Sequence, residues 1–117
     1  MALRDLTGVV DFGHLEAYTL NDAEVMEEVL HIFQQQCELW SPLLTMDHAG
    51  WRDAAHTIKG AAAGIGAGLL AAAAEAAERG DTEGADFRLE RVKSAMSAAQ
   101  YDVAAYLHEL QLRSLRR

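Results

Sequence analysis

The 117-residue sequence has one cysteine, one proline, eight aromatic residues and few basic ones. Each scarcity narrows what the chain can be. A lone Cys37 excludes an internal disulfide framework and a cysteine-built metal cluster, and its place beside Phe33 and Trp40 on an apolar helix face reads as a buried structural thiol. With one proline and abundant alanine, little interrupts helices. Alternating β-branched or aromatic runs are missing, so strands have no support. Ten Lys and Arg stand against 18 Asp and Glu, a net charge of −8 that repels phosphate backbones. The one basic cluster, Arg113, Arg116 and Arg117, reads as a solvated helix end with cations near its carbonyls. No stretch approaches the ~20 apolar residues of a membrane span; the richest, Ile65 to Ala77, is short and alanine-dominated. The opening Met1-Ala-Leu-Arg-Asp-Leu-Thr carries no charged-then-apolar leader pattern. A cytoplasmic protein that binds neither nucleic acid nor membrane is expected.

What is present is apolar periodicity. Half of the residues are hydrophobic and no Ser/Pro-rich segment divides them, which predicts one domain over 1–117 with its core at about 11–113. Residues 1–10 read as a loose lead-in. Asp11 to Leu20 predicts a short helix packed through Phe12 and Leu15, with Tyr18 and Leu20 as further contacts. Asn21 and Asp22 offer caps for a long helix to Met46, carried by Met26, Val29, Leu30, Phe33, Cys37, Trp40 and Leu44. Pro42 kinks its last turn or ends it early. Asp47 is a plausible cap for a third helix from Gly50 or Trp51 to Ile65, and the glycines at 64, 66 and 68 suit its end. Leu69 to Arg79 restarts as an alanine-rich helix closed by Gly80. Phe87, Val92, Met96, Ala99, Val103, Tyr106, Leu107 and Leu110 then mark a last helix to about Arg113. Short links between four principal helices predict an all-α, up-down-up-down antiparallel four-helix bundle with a short additional N-terminal helix. One apolar face per helix is used up this way, so a monomer is expected.

The third helix carries the chemistry. At about 100° per residue, Trp51, Ala54, Ala55, Ile58, Ala61, Ala62 and Ile65 gather on one side. His56 falls opposite that arc and should face solvent, with Lys59 and Gly60 one turn on along the same exposed face. An imidazole is nucleophilic near neutral pH. A lysine one turn away can offset phosphoryl charge. Glycine inside a helix costs up to ~1 kcal/mol against alanine, and this chain uses alanine freely nearby, so clearance for an approaching partner is the better account of Gly60. Gly64, one turn further, extends the clearance or ends the helix. Arg52, one turn before His56, is either a plain solvated arginine or a guide for an approaching phosphate or acidic surface.

The run His56-Thr-Ile58-Lys59-Gly60-Ala61-Ala62-Ala-Gly-Ile65-Gly66-Ala67 resembles, without a gap, the signature of histidine-containing phosphotransfer (HPt) domains of bacterial multi-step phosphorelays. The helical layout resembles that family over nearly the whole chain. The resemblance implies that His56 is phosphorylated on the ring nitrogen further from the backbone and that Lys59 stabilises the phosphoryl group. A polar residue on the following helix often bonds the active imidazole in the family; by ungapped counting that position is Glu78, with Arg79 beside it. The implied partners are receiver domains of a hybrid sensor histidine kinase and of a response regulator, which bring Mg²⁺ and the aspartate. No cofactor of its own and no ATP site are implied. Alanine at 61 and 62, where the family often has serine, is a mild departure.

Other readings leave weaker traces. His14, His31, His48 and His108 lie on separate predicted elements and form no metal-binding helical pair. Gly64-x-Gly66-x-Gly68 follows a helix rather than a strand and lacks the Lys-Ser/Thr of a nucleotide loop. A bundle that binds a receiver but relays nothing, and a fold-assembled metal or cofactor site, are the remaining alternatives.

Overall fold

The computed structural model describes residues 9–115, and five α-helices order them with no strand among them. They are α1 (Phe12–Tyr18), α2 (Ala23–Trp40), α3 (Trp51–Ile65), α4 (Gly68–Arg79) and α5 (Ala85–Leu115). Local signals account for several of the boundaries. The Asp11 carboxylate accepts the His14 N–H at the head of α1. Asp22 accepts the Glu24 and Val25 N–H groups at 3.0 and 3.3 Å and opens α2, with Glu24 in the first turn where the helix dipole favours an anion. Gly66 closes α3 at φ 83°, and its neighbour Ala67 donates back to Ala62 at 2.9 Å.

Helix α2 stops at Trp40, short of Met46: of the two courses open at Pro42 the helix ends early, in a single 3₁₀ turn, Ser41–Leu43. Three expectations fail, each for a local reason. Asp47 does not cap α3. Gly50 holds that position with no side-chain bond, its N–H taken by His48 Nδ1 at 3.0 Å, and the Asp47 N–H bonds Thr45 Oγ1. Tyr18 and Leu20 face solvent, since α1 ends at Tyr18 and Leu20 and Asn21 take positive φ as the chain reverses into α2. Phe87 is likewise exposed; Leu89, two residues on, is the core residue of that turn. Of the lead-in, Val10 is buried and the Val9 N–H donates to the buried Asp102 carboxylate at 3.2 Å; residues 1–8 lie outside the described residues. Arg113 pairs with Glu109 at 3.1 Å, while Arg116 and Arg117 also lie outside them.

The helices close a ring in chain order, α2 on α3, α3 on α4, α4 on α5 and α5 back on α2. Antiparallel pairing follows from the contacts. Tyr106 meets Met26, whereas Gln100 accepts from Gln34, so numbers fall along α5 as they rise along α2. One core cluster fills the ring, with Leu30, Phe33, Cys37, Ile58, Ala62, Leu70, Val92 and Val103 among its buried members. Burial, with Glu38 nearby, pushes the Cys37 thiol up to about 12, as an unreactive structural thiol requires. Helix α1 lies across one end, its Phe12 ring stacked on Tyr106 at 4.2 Å and its Glu16 carboxylate accepting the Tyr106 hydroxyl.

Gly66 joins these parts. Its carbonyl accepts the Asp11 N–H at 2.9 Å, and a Cβ at Gly66 would stand 2.6 Å from the Asp11 carbonyl oxygen. Positive φ and contact with main chain leave no cheap adjustment. Gly66→Ala should cost more than about 1 kcal/mol in denaturant unfolding, seen as a lower midpoint at unchanged m-value; an unchanged midpoint would show the corner to be compliant.

Candidate functional site

Helix α3 presents its apolar stripe inward as expected: Trp51, Ala54, Ala55, Ile58, Ala62 and Ile65 are buried and Ala61 is half-buried. Full burial of Ala62 explains why a hydroxyl is dispensable there, since a serine would need an internal partner. His56 points the other way and its side chain is 64% exposed. Opposite it comes the last turn of α4, brought close by a row of buried alanines, Ala54, Ala55 and Ala62 on α3 and Ala74 and Ala77 on α4.

Glu78 is the meeting point. One carboxylate oxygen lies 2.7 Å from His56 Nδ1 and the other accepts from Lys59 Nζ at 2.9 Å. The Lys59 hydrogen bond is the largest influence holding the Glu78 carboxyl below the usual glutamate range, and the His56 bond and the nearby positive charges add to it against partial desolvation. Glu78 is therefore ionised at neutral pH and can only accept. Nδ1 must then carry a proton, and in the neutral ring the Nε2 lone pair is directed away from Glu78. This arrangement provides a nucleophilic nitrogen of fixed tautomer, a neighbouring cation and open solvent in front of both.

The other expected site residues are placed as follows. Lys59 reaches the site by way of Glu78, with 28% of its side chain exposed. A Cβ on Gly60 or Gly64 would meet nothing within 4 Å, so neither glycine answers a packing demand within the protein. Both line a groove of about 440 Å³ between α1, α2 and α3, together with His14, Tyr18, Ile32 and Phe33. Arg52 is not free in solvent: its Nη1 donates to the Glu78 main-chain oxygen at 2.6 Å, and its guanidinium sits 4.4 Å from the centroid of the Trp51 ring. Arg79 turns away to Glu75. Among the described residues, no three His, Cys, Asp or Glu side chains stand where they could share a metal ion. Sequence reasoning missed the part played by Trp51 and the main-chain oxygen of Glu78. An arginine next to a tryptophan was the only trace of that contact in the chain.

Comparison with known proteins gives the family and the fold. The family model described as Hpt domain matches residues 23–102, which run from the start of α2 into α5. The chain belongs to the Hpt domain family. Its fold also matches the crystal structure of histidine phosphotransferase ShpA from Caulobacter crescentus, with a TM-score of 0.82 and 47% identity over 92% of this chain and 99% of that one. No curated protein sequence matches the chain. The five described helices thus form a bundle matching that structure's fold, and no described helix here is long and apolar enough to cross a membrane.

The carboxylate at the centre of the site has a testable titration. Because its folded value is lowered, the clasp on His56 and Lys59 is complete above the ordinary glutamate range and is lost only as pH falls through the lower folded value. Carbon-13 NMR of the Glu78 carboxyl should give a midpoint below that range, and Lys59→Met should move it upward. A midpoint indifferent to Lys59 would mean that the ion pair does not form in solution.

Proposed function

We propose that this chain relays a phosphoryl group between receiver-domain aspartates in a multi-step two-component phosphorelay, with His56 as the residue that accepts and donates it. The supporting observation is the hydrogen bond from His56 Nδ1 to the Glu78 carboxylate, with the rest of the ring exposed. In the accepting step, the Nε2 lone pair forms a bond to phosphorus as the bond from phosphorus to the aspartyl oxygen of the donor breaks. The aspartate leaves as a carboxylate. The Nδ1 proton stays in place, and the positive charge acquired by the ring faces Glu78. The donating step reverses these changes toward a second aspartate. Lys59, one turn from His56, lies close enough to offset the charge of the phosphoryl oxygens.

The division of labour follows from the site's chemistry. The chain contributes a positioned nucleophile, a cation and a docking face, and the receiver contributes its aspartate and Mg²⁺. On this reading the phosphoryl group comes from a receiver, and the chain needs no ATP site of its own. Upstream stands the receiver of a hybrid sensor histidine kinase, and downstream that of a response regulator. The docking face is the surface around His56 together with the groove beside Gly60 and Gly64, where α1 and α2 contribute Tyr18 and Ile32. A cytoplasmic monomer fits these roles.

Incubation with phosphoramidate, or with phosphorylated receiver domains, should add one phosphoryl group to the wild type and none to His56→Gln, read by intact-mass spectrometry. The adduct should be acid-labile and base-stable. No labelling of folded wild type by any donor would leave a binding module, and labelling of both proteins would identify another nucleophile. Gly60 separates stability from function. Gly60→Ala should raise stability by about 0.5–1 kcal/mol, because its Cβ meets nothing, while transfer from a receiver slows and Gly60→Leu slows it further. Unimpaired transfer to Gly60→Leu would remove clearance as the reason for this glycine.

A further inference from the structure

Three side chains of α3 converge on one residue of α4. At about 100° per residue, positions 52, 56 and 59 fall within about 60° of one another, and all three side chains end at Glu78. His56 and Lys59 take its two carboxylate oxygens, and Arg52 takes its main-chain oxygen at 2.6 Å. The last carbonyls of a helix have no partner within it. Helix α4 also lacks the left-handed glycine that returns such bonds in α3: Gly80 is extended, at φ −72° and ψ 165°. The carboxylate that holds the imidazole thus hangs on a helix end with few bonds of its own. The Arg52 guanidinium supplies one from outside, and it is itself placed over the buried Trp51 ring, 4.4 Å from its centroid, in the first turn of α3.

We infer that Arg52 is a positioning residue of the phosphotransfer site, acting on His56 through the backbone of Glu78. Its kinetic consequence rests on the phosphotransfer reading, whereas the positioning is a property of the unphosphorylated protein. Fixing the Glu78 main chain at the level of His56 limits where its carboxylate can go, and so keeps the proton on Nδ1. Arginine suits the task better than lysine, because a planar fork can bond a carbonyl while stacking on an aromatic face.

The test is nitrogen-15 NMR of the His56 ring in the unphosphorylated full chain, with Arg52→Ala, Arg52→Lys, Glu78→Ala and the Arg52→Ala/Glu78→Ala double variant, each checked for folding by circular dichroism. The wild type should show the Nδ1–H tautomer. Arg52→Ala should shift both ring signals toward the tautomer average, with Arg52→Lys between it and the wild type. In the Glu78→Ala background, Arg52→Ala should add nothing. Phosphorylation by phosphoramidate should follow the same order, with a loss of roughly tenfold or less for Arg52→Ala. A lower melting temperature with unmoved ring signals would make Arg52 a helix clamp only and overturn the inference. So would an effect on rate that survives intact in the Glu78→Ala background, since Arg52 would then act directly on the phosphoryl group or its donor. If no variant and no wild type accepts phosphate, the phosphotransfer reading fails, and the ring signals still decide the positioning.

Discussion

The close approach of α3 and α4 is the constraint on which the site depends. Among the described residues these two helices pack closely together, and several of the buried residues they carry are alanines, whose side chain is a single methyl group. Alanine at 54, 55, 62, 74 and 77 costs no rotamer entropy on burial and favours the helix in its own right. It also lets the backbones come near enough for the side chains above that seam to meet. A 2.7 Å bond between His56 and Glu78 is the result. Bulkier residues in the seam would hold the helices apart and leave the carboxylate out of reach of the ring. The dense alanine content and the chemistry of the imidazole are therefore linked through helix spacing.

Exposure and order are reconciled at the same place. A surface imidazole ordinarily samples both tautomers and several rotamers, and burial is the usual way to fix it. Burial would close the route to a partner protein. Here the ring stays 64% exposed while one nitrogen is tied to a carboxylate that is itself tied to Lys59. The glycines at 60 and 64 keep the approach low, and the groove beside them offers an apolar footing. On the proposed relay, such a site would present its nucleophile to a receiver domain, and the remaining catalytic groups would come from that partner.

Much of this was legible in the sequence, because it is set within single helices. The angular position of His56 opposite Ile58 and Ala62, the burial of Cys37, the cap at Asp22 and the left-handed closure at Gly66 all follow from local spacing and residue chemistry. What escaped depends on how helices register against one another or on competing local bonds. Counting along the family pattern pointed to Glu78, but nothing in the chain indicated that Arg52 would take its main-chain oxygen rather than stand free. Asp47 had the chemistry of a cap, yet the bend after Pro42 gave its N–H to Thr45 and left Gly50 at the helix start. Phe87 had the hydrophobicity of a core residue, but the turn that begins at Ala85 points Leu89 inward in its place.

The central claim is that the Glu78 carboxylate decides which nitrogen of His56 reacts. Phosphorylating nitrogen-15-labelled protein and reading phosphorus–nitrogen coupling at the His56 ring tests it most directly. Coupling to Nε2, with a proton retained on Nδ1, is the predicted result. Coupling to Nδ1, or a phosphoryl group on another residue, would contradict the account.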